Sequence, residues 1–228
     1  MLYIGSDFHG EYGLFQRLLE KIKFSDSDRF IICGDILEKG PDSVRLAKCV
    51  FSKPNIECIL GNHEYAFLKF YKSLLEESPD DFDGVLSRLQ AYFPDGKLLD
   101  WDTVDRIEAL PLYIEEEDFI CVHSGLPLSD DGKILPLEDA SPEELVFDRR
   151  FKNPEVLHKS KKCVFFGHTE TSAVTGKNKI IGYLKNPTAK PSSVSDFIKV
   201  HLDTGAWSGG AMSCLCIDTL KAYYVKKH

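Results

Sequence analysis

The chain has 228 residues, 43% hydrophobic and 28% charged, and a net charge of −8. That is the composition of a folded globular protein, and it excludes wholesale disorder, a collagen-like repeat and a low-complexity chain. A uniformly acidic surface repels phosphate backbones, so a nucleic acid duplex is set aside as partner; a phosphorylated substrate stays open, because a bound divalent metal can invert the local field.

Leu2–Ser6 reads as a first strand, with no basic leader in front of it. Leu14, Leu18, Leu19 and Ile22 then recur at helical spacing. Phe30–Cys33 is the next strand, and Pro41 suits the first turn of a helix carrying Val44, Leu46, Ala47 and Val50. Ile56–Leu60 is a third strand, followed by a helix from near His63 to Glu77. This alternation argues for α/β layers. The acidic and aromatic segment 78–110 reads as an inserted helical patch. Strands resume at Leu112–Ile114 and Phe119–Val122, around a solvated turn at Glu115–Asp118. Residues 127–141 read as a loop, Cys163–Phe166 as a strand, and 170–195 as loops around a short strand near Ile180–Tyr183. Phe197–Leu202, Ala211–Ile217 and Ala222–Val225 are strand-like in succession, which suggests a mixed sheet or a two-sheet sandwich with helices outside. No linker is evident, so residues 1–228 are expected to form one domain.

Seven cysteines, an odd count without a CxxC pair, read as reduced, buried thiols. Cys214 and Cys216, two apart in a strand, share one face and fit core packing. No run reaches the roughly 18 apolar residues of a membrane span. A cytoplasmic protein without membrane partners is the expectation.

Five short motifs follow predicted strands: Asp7-Phe8-His9-Gly10, Gly34-Asp35, Gly61-Asn62-His63-Glu64, Val122-His123-Ser124-Gly125 and Gly167-His168-Thr169. Strand ends of layered α/β folds converge on one crevice. Taken alone, each motif reads as a turn, a cap or a structural histidine. In order, they supply Asp, His, Asp, Asn, His and His, a nitrogen and oxygen donor set suited to first-row ions such as Mn, Fe or Zn. A pair of ions needs a bridging carboxylate, for which Asp35 is the natural candidate.

These motifs, with Gly-Asp-x-x-x-x-Gly at 34–40 and Asp203-Thr204-Gly205, resemble the calcineurin-like metallophosphoesterases. More narrowly they resemble the PPP-type serine/threonine phosphatases and the related symmetrical dinucleoside tetraphosphate hydrolases. The resemblance implies a mixed two-sheet β-sandwich flanked by helices in four layers, and two divalent ions, Mn²⁺ first. One ion would be held by Asp7, His9 and Asp35, the other by Asp35, Asn62, His123 and His168. His63 would be the general acid and Glu38, where the family usually has Asp, the carboxylate orienting it. Lys39 stands where the family has Arg, and Leu60 replaces another Arg. Arg149 best matches a downstream substrate Arg, with Arg150 its rival.

The implied function is hydrolysis of phosphomonoesters by direct attack of metal-bound hydroxide, with a phosphorylated protein as first substrate. A dinucleoside tetraphosphate or other small phosphate compound is the alternative, and a catalytically inactive metal-binding scaffold the second. Outside the motifs, His158 is expected to be exposed and His201 structural. Trp207 is read as core packing or as a wall of the substrate cleft, and Lys177, Lys179, Lys185 and Lys190 as a solvated loop or a basic rim.

Overall fold

Strand alternation sorts the apolar side chains into separate layers. In β1 (Leu2–Gly5) and β2 (Arg29–Ile32), Tyr3, Phe30 and Ile32 point one way and Ile4 and Ile31 the other. In β5 (Phe119–Val122) and β6 (Cys163–Phe166), Phe119, Cys121, Cys163 and Phe165 face the second group, while Ile120, Val122, Val164 and Phe166 face away. A period of two with both faces apolar requires cover on both sides, which means two stacked sheets with further layers outside.

The computed structural model describes residues 1–93 and 99–227 and has that architecture. One sheet has the order β10 (Ala222–Val225), β9 (Met212–Cys216), β1, β2, β3 (Ile56–Cys58). The other has the order β4 (Tyr113–Glu115), β5, β6, β8 (Phe197–His201), β7 (Ile181–Leu184). Strands β1, β2 and β3 are mutually parallel, and so are β5, β6 and β8. β9 runs antiparallel to β1, β4 to β5 and β7 to β8, and β10 pairs antiparallel with β9.

Five helices cover the first sheet. In α1 (Tyr12–Ile22), Leu14, Phe15, Leu18 and Ile22 form the buried stripe, and the helix stops at Lys23 in a left-handed conformation. α2 (Ser43–Phe51), α3 (Asn62–Glu77), α4 (Phe82–Ala91) and α5 (Trp101–Glu108) complete that layer with Leu46, Phe67, Val85 and Val104. Phe15, Phe30 and Phe67 are fully buried there, and truncating any one to Ala would cost about 3–5 kcal/mol. A thinner fourth layer, built from α6 (Pro142–Phe147) and adjoining loops, covers the second sheet around Phe151 and Phe166.

The two-sheet, four-layer expectation holds. Strand boundaries shift by one or two residues, and the helical patch contains α4 and α5, with 94–98 outside the described residues. Two helices were not foreseen, α6 and the short α7 (Ser172–Thr175). His158, expected at the surface, is 5% exposed. It stacks on Phe151 and its Nε2 lies 2.8 Å from the Ile198 carbonyl. His201 is buried and its Nε2 meets the Thr169 carbonyl at 2.5 Å, a structural role. Six of the seven free cysteines are buried, with Cys49 half-buried, and Cys214 and Cys216 pack in one cluster. Among the described residues, no helix is long and apolar enough to cross a membrane.

Candidate metal centre

Parallel strands deliver each motif to one end of the sandwich. Asp7 follows β1, Asp35 follows β2, Asn62 opens α3 behind β3, and His123 and His168 follow β5 and β6. All six predicted ligands meet, with Asp35 in the middle. Its Oδ2 is 3.5 Å from His9 Nε2 and its Oδ1 is 3.5 Å from His123 Nε2. Asp7 Oδ1 lies 3.9 Å from His9 Nε2. Asn62 Oδ1 lies 2.9 Å from His123 Nε2 and 2.8 Å from His168 Nδ1. Two sets of donor atoms are close enough to share an ion, His9 with Asp35 and His63, and Asp7 with Asp35 and His123. Asp35 belongs to both.

These residues fit a pair of divalent ions. Ligands at about 2.0–2.2 Å from one ion stand roughly 3–4 Å from each other, the spacing seen here. Asp7 and Asp35 are each 1% exposed. Burial, reinforced by the charges of Asp203 and Asp35, pushes the Asp7 carboxyl well above its ordinary range. Burial likewise pushes Asp203 up to about 7. Burial alone would raise Asp35 too, but the His123, His9 and His63 rings hold it below the usual range. Burial brings His9 down to about 4, and burial with the neighbouring His123 brings His168 down to about 3, so both rings are neutral near pH 7. His9 Nδ1–H and His123 Nδ1–H donate to the carbonyls of Leu37 and Cys33 at 3.1 and 2.8 Å. That leaves both Nε2 lone pairs facing Asp35. His168 Nε2 is buried and has no hydrogen-bond partner among the described residues.

The backbone is bent to make this cluster. Among the described residues, eight non-glycine residues have left-handed φ, and six of them are Asp7, His9, Asp35, Glu38, Lys39 and His168. Two glycines allow close approach. A Cβ on Gly61 would sit 2.2 Å from Asp35 Oδ1, and one on Gly167 would sit 2.0 Å from Asp7 Oδ2. His168 N–H donates to both Asp7 oxygens, at 3.1 and 3.0 Å, and His63 N–H donates to Asp35 Oδ1 at 3.1 Å.

Glu64 has a part that sequence reasoning missed. Its carboxylate, fully buried, accepts four backbone N–H bonds. Asp35 and Gly61 donate to Oε2 at 2.8 and 3.0 Å, and Ile36 and Leu37 donate to Oε1 at 3.0 and 2.9 Å. One side chain thus ties the Asp35 loop to the first turn of α3. Burial and the Asp35 charge raise its carboxyl to about 7, while the four donors pull it down.

Beside the cluster, His63 Nδ1 lies 2.6 Å from Glu38 Oε2. Burial opposes the charged ring, but the Glu38 hydrogen bond and the Asp35 charge raise His63 above its ordinary value. Glu38 is held low despite burial by its bonds to His63 and Tyr92. The Tyr92 hydroxyl, at the end of α4, donates to Glu38 Oε1. The sequence offered no signal for this contact, since Tyr92 lies in the insertion, far from any motif.

Lys39 Nζ lies 3.1 Å from His9 Nε2 and 5.0 Å from the centroid of the Trp207 ring. Trp207 is 40% exposed, so it is a cleft wall and not core. A cavity of about 420 Å³ is lined by Lys39, Arg149, His168, Asp203 and Trp207. A second, of about 680 Å³, is lined by Glu38, Lys39, Tyr92, Phe93, Trp207 and Lys227, among others. Lys39 and Trp207 line both. Arg150 turns away to Asp148 at 3.2 Å, leaving Arg149 as the arginine at the centre. Lys177 and Lys179 line a separate cavity with Tyr224 and Lys226, and Lys185 and Lys190 are solvated.

The family model described as calcineurin-like phosphoesterase matches residues 2–193. Over 128 residues the chain is 32% identical to the symmetrical bis(5'-nucleosyl)-tetraphosphatase of Buchnera aphidicola subsp. Schizaphis graminum, covering 55% of this chain and 44% of that protein. It is 31% identical over 154 residues to the enzyme of the same name from Pseudomonas putida strain W619, covering 66% and 51%. The chain spans about half the length of the curated relatives it matches. A crystal structure described as a candidate diadenosine tetraphosphatase superposes with a TM-score of 0.70 at 19% identity, covering 100% of this chain and 93% of that one. A serine/threonine phosphatase from Saccharomyces cerevisiae superposes with a TM-score of 0.55 at 14% identity, covering 100% and 80%. At these identities the two structures speak for the fold alone.

Proposed function

The chain belongs to the calcineurin-like phosphoesterase family, and from that premise we propose that it hydrolyses a small phosphate compound of the dinucleoside tetraphosphate kind. This replaces the protein-phosphatase reading drawn from the motifs. The observation that carries it is the name shared by the curated relatives, symmetrical bis(5'-nucleosyl)-tetraphosphatase. The two cavities that share Lys39 and Trp207 support it, since a two-armed substrate needs room for both arms beside the scissile phosphate.

Two divalent ions, Mn²⁺ first and Fe, Zn or Ni suited to the same donors, would be held by Asp7, His9 and Asp35 and by Asp35, Asn62, His123 and His168. When bound, such ions polarise the phosphoryl oxygens and acidify water. The rest falls to the chain. Lys39 and Arg149 take up charge on the phosphoryl oxygens. His63, kept protonated by Glu38, gives its Nε2 proton to the departing oxygen, and Tyr92 fixes Glu38 in place. Lysine in place of arginine offers charge without a two-pronged fit to phosphate.

The test is a metal-supplemented screen of purified protein against diadenosine tetraphosphate, phosphoserine peptides and p-nitrophenyl phosphate. The reading expects the highest kcat/KM on the dinucleotide. Preference for the phosphopeptides would restore the protein-phosphatase reading.

A further inference from the structure

We infer that the 680 Å³ cavity beside Glu38 is a subsite for one nucleoside of the substrate, with Trp207 as the surface on which the base stacks. This rests on the dinucleotide reading of the centre.

Position comes from the lining. Glu38, the hydrogen-bond partner of His63, and Lys39, 3.1 Å from His9 Nε2, both line this cavity, so it opens beside the ligand cluster. Chemistry comes from the walls. Phe93 is 3% exposed and Phe8 fully buried, whereas Trp207 keeps 40% of its surface free within reach of the ligands, its ring 6.3 Å from that of His9. Lys39 Nζ stands 5.0 Å from the centroid of that ring, and the indole surface still open to water is apolar area that a flat partner would bury. A nucleobase is such a partner, and its π-face stacks on an indole with little dependence on sequence.

The remaining walls suit a nucleoside diphosphate. Tyr92 and Phe93 extend the aromatic surface, and two cations, Lys39 and Lys227, stand in the lining, with Lys39 Nζ 3.1 Å from His9 Nε2. Lys227 is paired with Glu11 at 2.5 Å, which leaves Lys39 as the cation nearer the scissile position. The volume falls within the usual range for small-molecule sites, roughly 300–1,000 Å³.

The experiment measures product inhibition of p-nitrophenyl phosphate hydrolysis by the metal-loaded protein, using ADP and inorganic pyrophosphate. The two probes share a diphosphate and differ in the nucleoside. In the wild type ADP should inhibit more strongly than pyrophosphate. Trp207→Ala should raise the ADP inhibition constant about 5- to 100-fold, moving the pyrophosphate constant less than threefold, and Trp207→Phe should keep most of the ADP affinity. Equal inhibition by the two probes in the wild type, or equal weakening of both in Trp207→Ala, overturns the subsite. A second measurement leaves Trp207 in place: in Trp101→Phe it is the sole indole, and ADP but not pyrophosphate should quench its emission. No quenching overturns the stacking. The substrate reading fails separately, if the wild type hydrolyses p-nitrophenyl phosphate and phosphopeptides but not diadenosine tetraphosphate; the assignment to a substrate nucleoside then falls with it.

Discussion

Replacing Glu64 with glutamine tests whether one buried carboxylate holds the Asp35 loop. The side chain keeps its size and loses its charge. Four N–H donors converge on its oxygens, two on each. In Glu64→Gln the remaining oxygen can serve one pair, Ile36 and Leu37 or Asp35 and Gly61. The new amide NH₂ then meets the other pair head-on, donor against donor. Two buried N–H groups lose their acceptor, at about 1–3 kcal/mol each, so the variant should be destabilised by about 2–6 kcal/mol. Against a typical total of about 5–15 kcal/mol, that loss is plain in a denaturant titration. Because the affected loop carries Asp35, metal affinity measured by calorimetry should also fall, by at least about tenfold. A variant within 0.5 kcal/mol of the wild type, by the resolution expected of a surface change, and with unchanged metal affinity, would refute the assignment of the loop to Glu64.

His63→Ala should lower kcat by about 10²–10⁴-fold with metal content retained; the loss should shrink for leaving groups that need no proton, and an equal loss on all substrates counts against a general acid. Asp35→Asn should lose metal as well as activity, and elemental analysis showing both ions in place would exclude the bridging assignment. Tyr92→Phe removes a bond to a charged group, and a cost of about 1–2 kcal/mol at the transition state corresponds to roughly 5–30-fold in kcat; wild-type turnover of diadenosine tetraphosphate would show that Glu38 needs no second anchor. Metal binding should tighten as pH rises through about 7. The cause is that Asp203 titrates near 7 and Asp7 is also raised, while His9 and His168, lowered to about 4 and about 3, are already neutral above pH 5. Cations need ionised carboxylates and neutral imidazoles, so a flat calorimetric profile from pH 5.5 to 7.5 would contradict these environments.

The candidate ligands were legible because each belongs to a short glycine-bearing motif directly behind an apolar strand, so local pattern and final position coincide. The sandwich with helices outside followed from strands that first alternate with helices and then run in succession, and its four layers from the family resemblance. Other features depend on partners distant in sequence. His158 looks like a surface residue until Phe151 stacks on it and the Ile198 carbonyl meets its ring. Lys199 sits inside a predicted strand, yet it is fully buried because the carbonyls of Phe151, Asn153 and Val156 surround its ammonium at 2.6–2.8 Å. For α6 a local signal did exist: Ser141 and Glu144 form a capping box with Pro142 at the first turn. The loop-like stretch before it obscured that signal. The motifs describe how a phosphate is held and not what it is attached to, which is why they pointed first to a protein substrate.

The left-handed backbone at six ligand-bearing or flanking positions limits how this protein can be improved. Glycine at Asp7, His9 or Asp35 would relax the chain and erase a proposed cation donor in the same stroke. Thermal hardening and a working pocket therefore compete for the same codons. An engineer seeking robustness has room at Lys23 and Leu220, which share the geometry but lie outside the pocket, and no such freedom inside it.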